Sequence, residues 1–411
     1  MNNLILFITL ISISNIGIAQ VWETDSNWNQ EYKEDFKLWV KTQVKTDMFS
    51  NKDSPYYGIK ADCADVTYAL RAIYSFENKL PYKVKNPIYR KTHKFEYWSN
   101  DIEKFDHYRI GTPRLIAFVN FLGASLGTET LHAYDSYPVK LSSISSGDIH
   151  MYKKKTKSGF LRHAYNILNI TETGNFQLIW SNQQRKKEGK PMKYAEWSKL
   201  RVRPYKYKWG FRRVNFPSDY LINASSRDDY SMNQFDLAKQ MDEKEFFNNI
   251  KKLLKVRDEN PNTVLSRQLK NLCDQARERV DIIKNSEAYR LKTRGKCMNY
   301  TDYDNYSTPS RDGGFLELYN RLKDTFHTYL DEGESNQISQ NLMIDIESII
   351  SSSKADTMRC PIIYKQGAQI ITLKNIYQGL KNKSISNHPN DNIDRRWGVK
   401  VGSKTTCKIW Y

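Results

Sequence analysis

The placement of five cysteines constrains this chain more than any other feature of its sequence. One lies near the start, at Cys63, and the other four lie in the second half, at Cys273, Cys297, Cys360 and Cys407. In an exported protein cysteines tend to pair, and an odd number leaves one thiol over. If the later four pair among themselves, in any of the connectivities open to them, the second half is closed by disulfides and Cys63 is the free thiol.

The first nineteen residues have the features of a secretory signal peptide. The segment MNNLILFITLISISNIGIA is apolar, carries no ionisable side chain and ends in the small-x-small sequence Gly17-Ile18-Ala19. It lacks the usual basic residues before the apolar stretch, and it is short for a membrane-spanning helix. We expect export and removal of residues 1–19, with a single membrane anchor as the alternative. No later segment is apolar enough to span a membrane.

The chain is strongly basic. It has 64 lysines and arginines against 46 aspartates and glutamates, which gives a formal net charge of +18. Such a charge attracts polyanions, including nucleic acid, anionic lipid and the acidic polymers of a bacterial envelope. The cations are spread along the chain, and the short runs at 153–157 and 185–190 are typical of loop tips. Charge alone therefore selects none of these partners.

The pattern of apolar residues changes near residue 228. Residues 27–216 mix helix-like and strand-like stretches, whereas the pattern beyond the polar segment PSDYLINASSRDDYSMNQ is mostly helical. Over residues 263–283, for example, apolar residues recur at three- and four-residue steps. We predict a first domain over 20–228 and a mainly α-helical, disulfide-containing domain over 229–411.

The first domain is predicted to be α+β. One helix is expected over about 63–77, and a second follows the helix-start signal Thr112-Pro113. Strands are predicted in DIHMYKK, LRHAYNILNI and NFQLIWSN, with TETG as a hairpin turn between the last two. Helices followed by an antiparallel sheet form an α+β arrangement.

Cys63 begins the first of these helices. Asp62 is a suitable N-cap, so Cys63 lies in or beside the first turn, where the helix dipole favours a thiolate. The carboxylates of Asp62 and Asp65 oppose that effect and would have to point away. A small apolar residue is also common at this position for packing alone, and a nucleophile therefore needs a base as well.

Two histidines, His150 and His163, lie on predicted strands and are candidates for that base. Alternation along the second strand puts His163, Tyr165 and Ile167 on one face. A strand histidine is often a structural residue. A helix-borne cysteine followed by a strand-borne histidine is, however, the arrangement of a Cys–His nucleophile pair.

A third polar residue orients the imidazole in such sites. The strand LIWSNQ ends in Ser181, Asn182 and Gln183. We favour Asn182, with Ser181 second, because a neutral acceptor suits a thiolate–imidazolium pair. The alternative is that all three residues merely end the strand.

Together these segments resemble the NlpC-type and CHAP-type cell-wall peptidases and amidases, which are papain-like cysteine hydrolases. DCADVTYALRAIYSFENKLPY matches the Asp-Cys pair that opens their helix, and ISSGDIHMY matches the Gly-Asp before a strand. RHAYNILNI matches their histidine strand, and FQLIWSNQ matches the strand that carries the third residue. The resemblance covers roughly residues 50–185. Ala64-Asp65 replaces the usual Ser-Gly pair, and residues 84–140 form an insertion with its own helix.

The resemblance implies a papain-like fold and amide hydrolysis through a thioester in a secreted, periplasmic or envelope protein. Cys63 would attack, His163 would take and return the proton, and Asn182 would orient the ring. The Cys63 amide would hold the oxyanion, helped by Tyr57 (or Tyr56) in SPYYGIKADC. No metal or organic cofactor is implied. The implied partner is the stem peptides of peptidoglycan or another anionic envelope polymer, and not nucleic acid.

Other functions stay open beside this one. A non-catalytic envelope-binding protein would keep the fold and lose the activity. A transglutaminase-like acyl-transferring enzyme would use the same Cys–His pair, but such enzymes usually place an aspartate in the third role, and LIWSNQQ contains none. A nucleic-acid-binding role rests only on charge and aromatic content.

Overall fold

The computed structural model describes residues 20–88, 96–156, 159–181, 191–200, 202–351, 353–365, 369–399 and 404–410. The chain divides into two compact units. The first comprises the residues up to Lys154 together with Leu161–Leu254, and the second comprises Lys155–Phe160 together with the residues from Lys255 onward. The predicted signal peptide lies outside the described residues. None of the described helices has the length and apolar character needed to cross a membrane.

The first unit begins with helices and a small two-stranded sheet. They are α1 (Gln30–Gln43), α2 (Cys63–Glu77), β1 (Lys83–Lys85), β2 (Tyr97–Ser99), α3 (Thr112–Ser125) and α4 (Thr128–Ala133). Helix α2 has the predicted bounds. Helix α3 is capped by Gly111, with φ +95°, so that Thr112 is its first helical residue rather than its cap. The predicted insertion, residues 84–140, includes β2, α3 and α4.

A six-stranded sheet with the order β3-β8-β4-β5-β6-β7 forms the centre of this unit. Its strands are β3 (Ser136–Pro138), β4 (Ile149–Thr156), β5 (Gly159–Ile170), β6 (Phe176–Trp180), β7 (Lys193–Trp197) and β8 (Gly210–Val214). The pairs β3–β8, β4–β8, β5–β6 and β6–β7 are antiparallel. The predicted mixture of helices with an antiparallel sheet is confirmed.

The two faces of the sheet belong to different cores. Ala164 and Leu168 of β5 pack in one core with α2, whereas Tyr165 and Ile167 pack in the other. The second core is completed by α5 (Asn233–Gln240) and by α6 (Glu243–Leu254), through side chains that include Phe246. The predicted boundary near residue 228 therefore lies inside the first unit, because the pattern of a helix does not show which core it joins.

The second unit is mainly helical, with one small antiparallel sheet. Its elements are α7 (Pro261–Lys292), α8 (Tyr300–Tyr306), α9 (Pro309–Asp331), α10 (Gln340–Ile350), β9 (Ile362–Lys365), β10 (Gln369–Ile371), α11 (Leu373–Lys381) and α12 (Ile393–Arg396). The apolar faces of α7 and α9 share one core. Disulfides join Cys273 to Cys360 and Cys297 to Cys407. The prediction that the four later cysteines pair and leave Cys63 free is confirmed.

Candidate active site around Cys63

The start of α2 is held by a reciprocal capping box. The Asp62 carboxylate accepts hydrogen bonds from the amides of Ala64 and Asp65, at 3.0 and 3.3 Å. The Asp65 carboxylate accepts one from the Asp62 amide at 3.0 Å. Cys63 is thereby fixed as the first helical residue, and its own amide is not one of the three that the box satisfies.

The surroundings of the Cys63 sulfur raise its pKa to about 12. The residue is partly exposed, yet burial of the thiol is the largest cause, and the Asp62 and Asp65 carboxylates add to it. The backbone amides of Ala164 and Ala64 lie close to the sulfur and act in the opposite direction. The sequence suggested that the helix dipole would favour a thiolate if both carboxylates pointed away. They stay at the helix start because they satisfy its amides, and the thiol is protonated at neutral pH.

The sulfur lies against the strand that carries the predicted base. Ala164, whose backbone amide acts on the sulfur, directly follows His163 on β5. The His163 ring lies on the Tyr165 side of the strand, with ring centroids 4.5 Å apart, and 5.8 Å from the ring of Tyr152. Because α2 packs on the Ala164 side of the sheet, the His163 ring lies on the opposite face from α2, and the structure brings Cys63 to the backbone beside His163 rather than to its ring. The catalytic pairing of the two side chains stays a prediction.

His150, the other strand histidine, lies in the second core of the first unit. Its ring packs 4.8 Å from Phe211 and 6.0 Å from Phe247, between centroids. Neither ring nitrogen makes a hydrogen bond of normal geometry. Burial lowers the pKa of His150 to about 3, against a small opposing contribution from the Val202 backbone. His150 is therefore a neutral core residue.

The residues predicted to orient the imidazole and to bind the oxyanion differ in where the structure puts them. Asn182 lies outside the described residues, and Ser181 is buried directly after β6. Tyr57 is 37 % exposed, and its part in oxyanion binding stays a prediction. The Tyr56 hydroxyl donates to Glu77 at the other end of α2, about 21 Å along the helix from Cys63. Tyr56 therefore cannot serve the oxyanion site in this fold.

Two residues that sequence reasoning missed hold α2 against β5. The Thr67 hydroxyl, one turn after Cys63, donates to the Asn166 side chain at 2.8 Å, and both residues are buried. Asn166 lies two residues after Ala164 on the same side of the strand. This bond fixes the strand next to the sulfur. No local signal joins residues that are 99 positions apart in the sequence.

The Gly-Asp pair before β4 has a structural role in this chain. Both oxygens of Asp148 accept hydrogen bonds from the Arg213 guanidinium at 2.7 Å. Asp229 accepts a third from Arg213 at 2.6 Å. Gly147 has φ +84°, and a Cβ there would lie 2.9 Å from the Phe36 ring. The pair therefore shapes the turn that leads into β4.

A basic and aromatic group of side chains lies on the α2 side of the sheet. Arg162 precedes Ala164 by two residues on the same side of β5, about 7 Å along the strand. Arg162 and Lys153 both bind Glu129. The Lys153 ammonium also lies 5.9 and 5.7 Å from the ring centroids of Tyr207 and Trp209. We call Lys153, Arg162, Tyr207 and Trp209 the basic aromatic cluster.

No known protein family, curated protein or solved structure matches this chain. In the part of the chain that the structure describes, no three His, Cys, Asp or Glu side chains are grouped so as to hold a metal ion. The function is therefore argued from the geometry around Cys63.

Proposed function

We propose that the chain is a secreted, papain-like cysteine hydrolase that cleaves amide bonds in peptidoglycan stem peptides or another anionic envelope polymer. One observation carries the proposal. Of five cysteines, only Cys63 is outside a disulfide, and it begins a helix with its sulfur on the amide next to His163. The two disulfides of the second unit are consistent with export.

In the proposed reaction, Cys63 starts as a thiol and loses its proton as it attacks. His163 is proposed to take that proton while the sulfur bonds to the amide carbon, and then to give it to the leaving amine. This step requires the imidazole to reach the α2 face of β5 from the Tyr165 side on which its ring lies. Water hydrolyses the resulting thioester with His163 again as the base. The Cys63 amide, which the capping box leaves out, donates to the oxyanion. Asn182, or Ser181, orients the imidazole.

The basic aromatic cluster supports an anionic substrate. Within it two cationic side chains, Lys153 and Arg162, lie close together and both bind Glu129. Cations favour the approach of carboxylate-bearing peptides, and aromatic rings offer apolar faces to sugars. The cluster lies about 7 Å along β5 from the amide that contacts Cys63, which is within the reach of a bound peptide.

The test compares the wild-type protein with Cys63→Ala and His163→Ala on purified peptidoglycan, with released peptides measured by mass spectrometry. We expect both variants to lose at least 10³-fold in rate, because the first removes the nucleophile and the second the base. His107→Ala, at an exposed histidine, is the matched control and should keep full activity. Unchanged digestion by Cys63→Ala would defeat the proposal.

A second candidate, a non-catalytic envelope-binding protein, is favoured by the high pKa of Cys63. A buried thiol beside two carboxylates is poorly ionised at neutral pH. This candidate predicts that the wild-type protein binds peptidoglycan and releases no peptide, and that Cys63→Ala binds with the same affinity. Alkylation of Cys63 near pH 7 that is lost in His163→Ala would instead favour the hydrolase.

A further inference from the structure

The two disulfides of the second unit differ in their access to solvent. Cys273 and Cys360 are 4 and 6 % exposed and lie in the core that α7 shares with α9. Cys297 lies in an exposed stretch between α7 and α8, and its partner Cys407 is half-buried. Thiol–disulfide exchange begins when a thiolate reaches one of the sulfurs. A reductant can therefore attack the Cys297 end of one disulfide without prior unfolding, whereas the other disulfide is shielded.

The exposed disulfide ties down an irregular segment, residues 404–410, which we call the strap. The strap contains Cys407 and forms neither helix nor strand. Its disulfide joins it to Cys297, 110 residues earlier in the sequence. Opening this bond restores the conformational freedom that the closed loop removes. The strap then depends on noncovalent contacts alone to keep its position.

The hydrogen bonds of the strap to the rest of the unit lie near its two ends. The Thr405 amide donates to the Asp391 carboxylate at 2.8 Å. The Trp410 indole N–H donates to the Met298 carbonyl at 3.2 Å. Such bonds contribute little net stability each, because the same groups bond to water when they are released. They set the position of the strap but do not replace its covalent link.

The strap packs on a small aromatic cluster that is separate from the main core of the unit. Met298, Tyr303 and Tyr306 are buried together in this cluster, and Tyr289 and Trp410 pack against them. Trp410 belongs to the strap, whereas the other four residues come from α7, α8 and the connection between them. Loss of the strap would therefore expose the aromatic cluster to water and leave the main core covered.

We propose that the Cys297–Cys407 disulfide is a redox-sensitive switch, which a dithiol reductant opens while the Cys273–Cys360 disulfide keeps the unit folded. A thiolate of the reductant attacks the Cys297 sulfur, and the Cys407 sulfur leaves and takes up a proton. The second thiol of the reductant loses its proton and attacks its own partner sulfur in the mixed disulfide. This step releases the Cys297 thiol and a cyclic disulfide, so that two electrons have passed to the protein. The strap then leaves the aromatic cluster. This inference does not depend on the proposed hydrolase function.

The first test measures how fast each disulfide of the full-length native protein is reduced by dithiothreitol. Samples are quenched with acid, denatured and alkylated with N-ethylmaleimide, and the modified cysteines are identified by mass spectrometry. We expect Cys297 and Cys407 to be reduced at least about 30-fold faster than Cys273 and Cys360, because reduction of the buried pair requires local unfolding. A smaller ratio, or faster reduction of the buried pair, would overturn the proposal.

The second test follows release of the strap by hydrogen exchange, in wild-type protein reduced at the exposed disulfide. We expect amide exchange in 298–306 and 404–410 to rise at least about tenfold, with exchange in α7 and α9 unchanged. Cys297→Ser/Cys407→Ser should behave in the same way without reductant. Cys63→Ser, at the free thiol of the first unit, is the matched control and should exchange like the oxidised wild type.

Two outcomes of the exchange experiment contradict the switch. Unchanged exchange in 404–410 after reduction would show that the noncovalent contacts hold the strap by themselves. A rise across α7 and α9 would show that the whole unit unfolds rather than releasing one segment. If the double variant fails to fold, the reduced wild-type protein still decides between these results.

Discussion

In the first unit the cysteine is a free thiol at a helix start, whereas in the second unit every cysteine closes a disulfide. Two arginines, one in each unit, also differ in their partners. Arg213 of the first unit, whose side chain is 13 % exposed, binds both Asp148 and Asp229, whereas the buried Arg396 of the second unit pairs with no acidic side chain among the residues that the structure describes. The same residue types therefore have opposite roles in one chain, and the difference comes from what each unit packs around them.

The largest expected effect concerns the disulfides. The Cys273–Cys360 bond spans 87 residues, and the double variant Cys273→Ser/Cys360→Ser should lose about 4 kcal/mol of unfolding free energy from the second unit. Cys63→Ser should change that free energy by less than about 0.5 kcal/mol. Urea unfolding of the full chain measures both. Equal losses of unfolding free energy in the two variants would contradict the expectation that the disulfide stabilises the second unit and the free thiol does not.

The difference between the partners of Arg213 and those of Arg396 predicts the next largest effect. Asp148→Ala removes a buried carboxylate, leaves the partly buried Arg213 with only one acid, and should destabilise the first unit by about 3 kcal/mol. Arg396→Met, which removes a buried charge whose Nε and Nη1 have no acceptor, should cost little or stabilise the second unit. Denaturant unfolding gives both values, and a larger loss from Arg396→Met than from Asp148→Ala would reverse the contrast.

The buried His150 makes the unfolding free energy of the first unit depend on pH. The folded-state pKa of His150, about 3, lies below its ordinary value near 6.5, so its contribution is complete above pH 6.5 and decreases as the pH falls toward 3. Between pH 7 and pH 5 the loss is about 2 kcal/mol. His150→Phe should remove this part of the dependence. The part from His132, whose pKa burial lowers to about 4, should remain.

The smallest expected effect tests the contact between α2 and β5. Thr67→Val removes the hydroxyl that binds Asn166 and should destabilise the first unit by about 1–2 kcal/mol. Thr42→Val, at an exposed threonine whose hydroxyl bonds within α1, is the matched control with an expected loss under about 0.5 kcal/mol. If Thr67→Val unfolds no more easily than the control, the hydrogen bond does not hold the strand beside Cys63.

Much of the first unit follows from local sequence signals. The Asp62 cap and the apolar spacing after it fix α2, and alternation fixes β4, β5 and β6. The site itself is less predictable. The capping box that places Cys63 also keeps the Asp62 and Asp65 carboxylates beside the sulfur, and burial adds to their effect on the pKa. Burial of one atom depends on residues far away in the chain.

The extent of the first unit shows the same limit. Helices α5 and α6 look, by their pattern, like part of the helical second half, yet Phe246 and Phe247 complete a core of the sheet. An amphipathic pattern indicates that a helix has an apolar face, but it does not indicate which surface packs against that face.

The sequence by itself determined the helix that begins at Cys63 and the central strands. It also determined that Cys63 stays a free thiol while the four later cysteines pair. Those features depend on residues close together in the chain, or on a simple count. Only the tertiary structure decided that the sulfur lies near the backbone beside His163, that its thiol is protonated, and that Arg396 pairs with none of the acidic side chains that the structure describes. Each of these depends on burial and on charges brought together from distant segments, because desolvation and Coulomb energies follow distance in space rather than distance along the chain.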